Sequence, residues 1–313
     1  MSGASVLYDV PGPRAIARNR ILGVVTVLVV LAAVGFIVWR FIETGQFSAA
    51  KWNIFTYTNV WLTIGKATWA TVSAFLVAAV GSLILGFVLA VGRLSDHAWV
   101  RGIFTGIVEL LRAIPVLVLM MLFFYGLPSV LPDLKMTPFV AVVLALILYN
   151  GSVLAEALRA GIEALPRGQK EAGYAIGLRK TGVMTLILLP QAVRNMMPVI
   201  IAQLVVTLKD TALGFIITYP ELLYTAKQLS SQPGRPLLQA GIVVAIIYIA
   251  MCLILSGIAK FVEMRMTKRQ KALKADAAGG GGNPALLHDG TETSVIGLQN
   301  MALYDKNQGA NPL

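Results

Sequence analysis

Five uncharged apolar runs, each long enough to cross a bilayer, constrain this chain more than any other feature: Ile21–Trp39, Ala67–Gly92, Ala113–Pro132, Met136–Ala155 and Pro236–Ala259. A helix rises about 1.5 Å per residue, so a hydrocarbon core of about 30 Å needs roughly 20 residues. A sixth run, Val183–Leu208, is interrupted by Arg194 and carries Pro190 and Pro198. Such breaks are tolerated where neighbouring helices satisfy the freed backbone groups. Only 13% of the 313 residues are charged, against roughly 25% in ordinary globular domains. The expected fold class is an all-α polytopic membrane protein with about six transmembrane helices.

The net charge of +11 raises nucleic acid as a partner, but the basic residues sort by topology. With the amino terminus inside, seventeen Lys and Arg fall in inside segments and six in outside ones, the latter being Arg40, Lys51, Lys135, Lys209, Lys227 and Arg235. That asymmetry is the positive-inside pattern and places both termini in the cytoplasm. The expected contacts are membrane lipid and no nucleic acid. Arg14, Arg18 and Arg20 before an apolar run also resemble a signal peptide. The run is long for an h-region and no small-x-small site follows closely, so a retained span is expected. The single cysteine, Cys252, lies inside a run and is assigned to packing. His97 and His288 lie outside the runs, so neither a catalytic nor a metal site is assembled.

Four regions follow: a cytoplasmic tail over 1–20, an additional transmembrane helix over 21–42, a transport domain over 60–265, and a disordered cytoplasmic tail over 275–313. The last contains Gly279–Gly282, a flexible-linker composition. Trp39, Trp52, Phe55, Tyr57 and Trp61 suit an interfacial segment, the depth aromatic rings prefer. The window Leu62–Gly92 exceeds one crossing, so its helix is tilted, kinked near Gly81 or Gly86, or partly outside the bilayer. Gly102 and Gly106 form a GxxxG that allows close helix contact.

The loop from Leu158 to Arg194 is the most informative stretch. Ala155–Leu165 reads as a helix, Pro166 and Gly168 as a turn, Gln169–Gly177 as a short helix ended by a left-handed Gly177, and Leu178–Pro190 as a second short segment. Glu171-Ala172-Gly173, Gly177 after three residues, and Ile187-x-Leu189-Pro190 after nine more resemble the EAA motif of importer-type ATP-binding-cassette permeases. Gly173 departs from the motif's second alanine to another small residue, which leaves packing against a partner groove feasible. The flanking Glu156–Ile162, Leu189–Arg194 and Leu208–Leu213 segments are similar to those of polar amino acid permeases of the histidine, glutamine and glutamate uptake group. The similarity covers about Val60 to Glu263.

The resemblance implies a type I ABC importer permease-like core whose loop 158–194 couples to separate ATPase subunits, which carry ATP and Mg. It also implies a second permease subunit, identical or not, an extracytoplasmic substrate-binding protein, and an amino acid substrate such as glutamate or glutamine. This chain has no P-loop: Gly65-Lys66 is followed by Ala67, and Val60 stands where a glycine is required. Glu109 with Arg112, and Glu156 with Arg159, are spaced for pairs on one helix face, either intrahelical or gating. Lys209-Asp210-Thr211 interrupts an apolar region and offers a donor and an acceptor to a zwitterion. Gln203 and Thr207 lie on the preceding turns. If the helix continues, Thr207, Asp210 and Thr211 share one pore-facing side. An ion-coupled secondary carrier is the competing reading, since it too uses polar breaks in helices.

Overall fold

The computed structural model describes residues 12–234 and 236–279. Arg235, residues 1–11 of the expected amino-terminal tail and residues 280–313 of the expected carboxy-terminal tail lie outside them. Among the described residues every regular element is helical. Five helices are long and apolar enough to span a membrane, and a sixth span results if one bent pair is counted as a unit.

Helix α1 (Pro13–Glu43) begins with proline at its first turn, where the missing N–H costs nothing. It therefore starts eight residues ahead of the apolar run, taking in part of the expected tail. None of its residues is buried. Lipid solvates an apolar helix surface of this kind as well as protein does. Helix α2 (Ala49–Trp52) and a 3-10 turn over Asn53–Thr56 follow. Here Phe55 stacks near Trp52 and Trp61, and the Trp61 indole N–H donates to the Phe55 carbonyl at 2.8 Å. The aromatic segment is thus ordered by its own rings.

Helix α3 (Thr58–Arg93) runs unbroken for 36 residues and packs along α7 (Pro138–Glu163). Small side chains, Ala67, Thr71, Ala74, Ala78, Ser82, Gly86 and Ala90, run along the buried face of α3 at spacings of three and four, with the larger Ile64, Phe75 and Leu89 beside them. This face meets Ala141, Ala145, Gly151 and Ala155 of α7. Leu76, Val77, Val80, Ile84 and Val88 point away and are exposed. Since lipid solvates apolar surface as well as protein does, close backbone contact, not size of side chain, holds such helices together. Ser82 Oγ reaches across to the Leu146 carbonyl at 3.3 Å. Gly86 sits where a β-carbon would be 2.9 Å from Leu154 Cβ and 3.0 Å from the Gly151 carbonyl oxygen.

The expected straight span at Ala113–Pro132 is replaced by a bent pair. Helix α4 (Ala98–Ala113) and the segment Val116–Val130 meet at 95°. Pro115 explains the break, because its ring drives Ile114 into an extended conformation, φ −86° and ψ 123°. The second segment comprises α5 (Val116–Met121), a π turn over Leu122–Gly126 and α6 (Leu127–Val130). A β-carbon added to Gly102 or Gly106 on α4 would meet nothing within 4 Å, so the GxxxG packs on no other helix among the described residues.

Helix α8 (Arg167–Ala175) is separate and short. The next helix is not. The expected second short segment, Leu178–Pro190, is the start of a helical rod over Lys180–Ile217, 38 residues long. The rod comprises α9 (Lys180–Gly182), a π stretch over Val183–Leu188, α10 (Leu189–Asp210) and a 3-10 stretch over Thr211–Ile217. Both π stretches lie just before a proline, Pro128 and Pro190, which cannot donate to the preceding turn, so the ladder widens there. The helical path does not break at Lys209–Thr211; it tightens at Thr211 and ends at Thr218, which is left-handed at φ 61°. Helix α11 (Leu222–Ser230) and α12 (Leu237–Gly279) complete the order. Residues 275–279, expected in the tail, continue α12. The described residues from 258 to 279 fall in a second compact unit.

Gly86→Val is expected to force α3 off α7, because the obstructing atoms are backbone and a Cβ. Overpacking of this kind costs about 1–3 kcal/mol. Gly106→Ala, with open space around it, is expected to stay within about 0.5 kcal/mol of the parent. Thermal unfolding of the detergent-purified chain, followed by size-exclusion chromatography, distinguishes the two.

Candidate functional site: the elbow loop and the charged helix ends

Pro166 caps the start of α8 with an extended ψ of 133°, and Gly168 lies inside the helix instead of in the turn. The helix ends as expected. Gly177 has φ 81°; its N–H donates to the Tyr174 carbonyl at 2.9 Å, and the Leu178 N–H donates to the Gly173 carbonyl at 3.2 Å. These two bonds are the Schellman pattern, which needs a residue free of a β-carbon at the left-handed position. Leu178 then folds into an apolar cluster with Ile162, Val183, Leu188 and Ala192, which fixes the angle between α8 and the rod.

The seven motif residues divide into two groups. Gly173 is buried, and a β-carbon on it would lie 2.9 Å from both Ile187 Cδ1 and Val183 Cγ2. The small residue at this position, which leaves room for a partner groove, here lies against Ile187 and Val183 of its own chain, next to the half-buried Leu189 and Pro190. Glu171 and Ala172 are exposed, beside Tyr174 at 42% and Ile176 at 75% exposure. This outer face of α8, an apolar tip with a carboxylate and Lys170, is the part available to another molecule. The Gln191 amide braces the two arms, donating to Gln169 Oε1 at 3.2 Å and the Ile187 carbonyl at 2.8 Å.

Next to the elbow lie the charged helix ends. Glu156 pairs with Arg159 at 2.6 Å as expected, yet it also takes Arg93 from the end of α3 and lies 3.8 Å from Arg112 at the end of α4. Arg159 in turn reaches Glu163 at 2.5 Å. The expected Glu109–Arg112 pair does not form; Arg112 turns to Glu156 and Glu109 faces outward. The Arg112 contact is a long one at a 45% exposed side chain, and exposed pairs of either kind are worth only a few tenths of a kcal/mol, so the orientation of Arg112 costs little. Glu156 thereby ties α3, α4 and α7 into one node. In the α3–α4 loop, Asp96 pairs with Lys180, and that hydrogen bond holds the Asp96 carboxyl below its ordinary range.

At the other end of the rod, Lys209 is exposed and Asp210 half-buried. Thr207 and Thr211 share a face, as their spacing requires, but it is a buried one. Their hydroxyls donate to the Gln203 and Leu208 carbonyls at 2.8 and 2.7 Å, so Thr207, Asp210 and Thr211 do not line a common open side. A threonine in a helix satisfies its hydroxyl on its own backbone and can then be buried without penalty. Gln203 donates to Asn150 Oδ1 at 2.6 Å, and Asn150 donates to the Leu146 carbonyl. Lys209 borders a groove of about 520 Å³ against α12, beside Gly241, Ala245 and Tyr248.

Four residues to which the sequence alone assigns no site role matter here. Arg93 counted only toward topology; its position just past an apolar run was the available signal. Glu163 and Asn150 are likewise polar groups at or within a span. Glu221 is fully buried, accepts from the Leu223 and Tyr224 N–H groups and from the Tyr248 hydroxyl, and caps α11. Nothing in the local sequence marks it out.

Comparison with known proteins agrees with this geometry. Residues 82–268 match the family described as binding-protein-dependent transport system inner membrane component. The glutamate transport system permease protein GluD of Corynebacterium glutamicum is 39% identical over 225 residues, covering 71% of this chain and 82% of the relative. The glutamine transport system permease protein GlnP of Escherichia coli is 29% identical, covering 59% and 84%. A crystal structure of an amino acid ABC transporter with histidines superposes with a TM-score of 0.61 at 26% identity, covering 68% of this chain and 97% of that one.

Glu156→Gln is expected to leave Arg93, whose side chain is only 9% exposed, without its carboxylate. Removing one partner of a buried pair costs about 3 kcal/mol, and Glu109→Gln should change stability by less than about 0.5 kcal/mol. Equal thermal stability of the two variants would show that the node carries no structural weight.

Proposed function

Since this chain belongs to the binding-protein-dependent transport system inner membrane component family, we propose that it is the membrane-spanning permease of an ATP-driven importer for polar amino acids, with glutamate and glutamine the first candidates. In this reading both termini and the elbow face the cytoplasm, and α8 seats in a groove of a separate ATPase subunit that binds ATP and Mg. A second permease copy or homologue completes the path, and an extracytoplasmic binding protein delivers the substrate. The names of relatives such as GluD and GlnP support the substrate class.

The observation that carries the mechanism is the stiffness of the connection. Glu171, Ala172, Tyr174 and Ile176 form the surface an ATPase would hold, and Gly173, Gly177, Ile187, Leu189 and Pro190 lock that surface to the rod Lys180–Ile217. At about 1.5 Å per residue the rod is long enough to cross the bilayer, so a displacement of α8 reaches Gln203, Lys209 and Asp210 at its far end. We assign these three to the substrate path, with Thr207 and Thr211 supporting them from the buried side. ATP binding can then shift the inward and outward states only by its differential affinity for them; moving a 1:99 equilibrium to 99:1 takes about 5.5 kcal/mol. A flexible elbow would dissipate that difference locally. The charged node around Glu156 holds the cytoplasmic helix ends together and acts as the gate of this reading. No observation favours an ion-coupled carrier.

Reconstitution with the ATPase and an amino acid panel tests this. Uptake of glutamate or glutamine is expected to require ATP, and uptake that persists without it overturns the mechanism. Gly177→Leu forces a side chain into the left-handed region, at a cost of about 1–2 kcal/mol, and is expected to lower uptake at least about tenfold while weakening ATPase association. If association and uptake are both intact in this variant, the assignment of α8 as the coupling helix is wrong.

A further inference from the structure

Between the α3–α4 loop and the elbow is a cleft of about 340 Å³ that borders the Glu156 node at Arg93 and Glu163 and the outer face of α8 at Lys170 and Tyr174. Five cations border it, Arg93, Arg101, Arg167, Lys170 and Lys180, against two carboxylates, Asp96 and Glu163. Both carboxylates are already engaged, Asp96 by Lys180 and Glu163 by Arg159. Arg93 is held by Glu156, but its side chain is 9% exposed and its Nε has no hydrogen-bond partner. Arg101, Arg167 and Lys170 have no carboxylate partner among the described residues; Arg101 makes one long bond of 3.4 Å to the Ser95 carbonyl. The lining as a whole carries five cations against two carboxylates, an excess of positive charge that favours an entering anion.

The cleft does not end at the charges. A second groove of about 490 Å³ shares Leu94, Ser95, Asp96, Lys180 and Met184 with it. This groove is apolar, running past Val88, Val91 and Phe104. Val88 and Val91 are 49% and 47% exposed, on the side of α3 turned away from α7. A basic pocket opening into an apolar channel on the outer face of a spanning helix has the two-part chemistry of one molecule. We infer that this paired cleft and groove is a binding site for an anionic glycerophospholipid, its phosphodiester among Arg101, Arg167 and Lys170 and one acyl chain along Val88, Val91 and Phe104. Basic pockets at the cytoplasmic ends of membrane helices take such headgroups. An acidic loop of a protein partner would satisfy the cations but leave the groove at Val88 and Val91 unfilled. The bound lipid would bridge the α3–α4 loop and α8.

The leaflet assignment rests on the topology proposed above; the lipid measurement does not, since it is made in detergent and reads neither sidedness nor transport. The full chain with its ATPase partner, stripped of lipid, is given phosphatidylglycerol or phosphatidylcholine of identical acyl chains, and retained lipid is counted by native mass spectrometry. Phosphatidylglycerol is expected to be retained about tenfold over phosphatidylcholine. Arg101→Gln, outside the elbow and the node, is expected to reduce that preference at least threefold. Val91→Trp, which fills the groove, is expected to reduce retention while leaving size-exclusion behaviour and ATP hydrolysis unchanged. Equal retention of the two lipids, or full retention in either variant, overturns the proposal. So does complete displacement by inorganic phosphate at millimolar concentration, which would make the site one for a free anion. If Arg101→Gln does not fold, Val91→Trp and the phosphate competition decide the matter alone. ATP-dependent uptake in the same preparation, measured separately, shows whether the transport reading stands.

Discussion

Where α3 and α7 meet, alanine, serine and glycine on both helices let the backbones approach until Ser82 bonds to the Leu146 carbonyl and Gly86 touches Leu154 and the Gly151 carbonyl. In a bilayer the hydrophobic effect does not select between protein and lipid as neighbours, so contact density and interhelical hydrogen bonds must do so. The remaining elements are positioned from this pair. Asn150, on the same buried side of α7, receives Gln203 of the rod. Tyr219 donates to the Ala70 carbonyl and the Leu222 N–H to Thr71, which brings the turn after the rod back onto α3.

Toward one end of the same two helices lie Arg93 and Glu156, so the node that gathers α4 is a continuation of the seam by other means. Small residues hold the helices within the hydrocarbon, and ion pairs hold them where water begins. The change follows the dielectric: isolated charges are costly at a helix centre and become tolerable near its end. Because Arg159 and Glu163 lie on the last turns of α7 just before Pro166, the node also fixes where α8 leaves the membrane surface.

That exit gives the elbow its direction. A left-handed glycine, an apolar clasp around Leu178 and a buried Gly173 leave α8 little freedom relative to the rod, and the rod runs without a break to Asp210 and Thr211. A loop on the surface and a polar group near the opposite end of a helix are thereby joined by a single covalent, hydrogen-bonded element. Small displacements are transmitted along such a path because packed helices shift as units instead of deforming continuously.

The apolar runs, the basic asymmetry, the left-handed Gly177 and the spacing from Glu171 to Pro190 were legible in the sequence because each is set by local chemistry: transfer to lipid, backbone sterics, or helical period. Proline also announced itself, yet its effect depended on its neighbours. Pro115 turned the third span through 95°, whereas Pro190 and Pro198 were absorbed into one continuous rod. What tertiary structure alone decided was partnership. Arg112 left Glu109 for a carboxylate on another helix, Thr207 and Thr211 turned to a buried face, Gly173 closed on its own chain, and the unremarkable Glu221 became a buried cap. Period and composition fix which face of a helix a side chain occupies, but which helix lies against that face is settled by close packing between segments far apart in the chain.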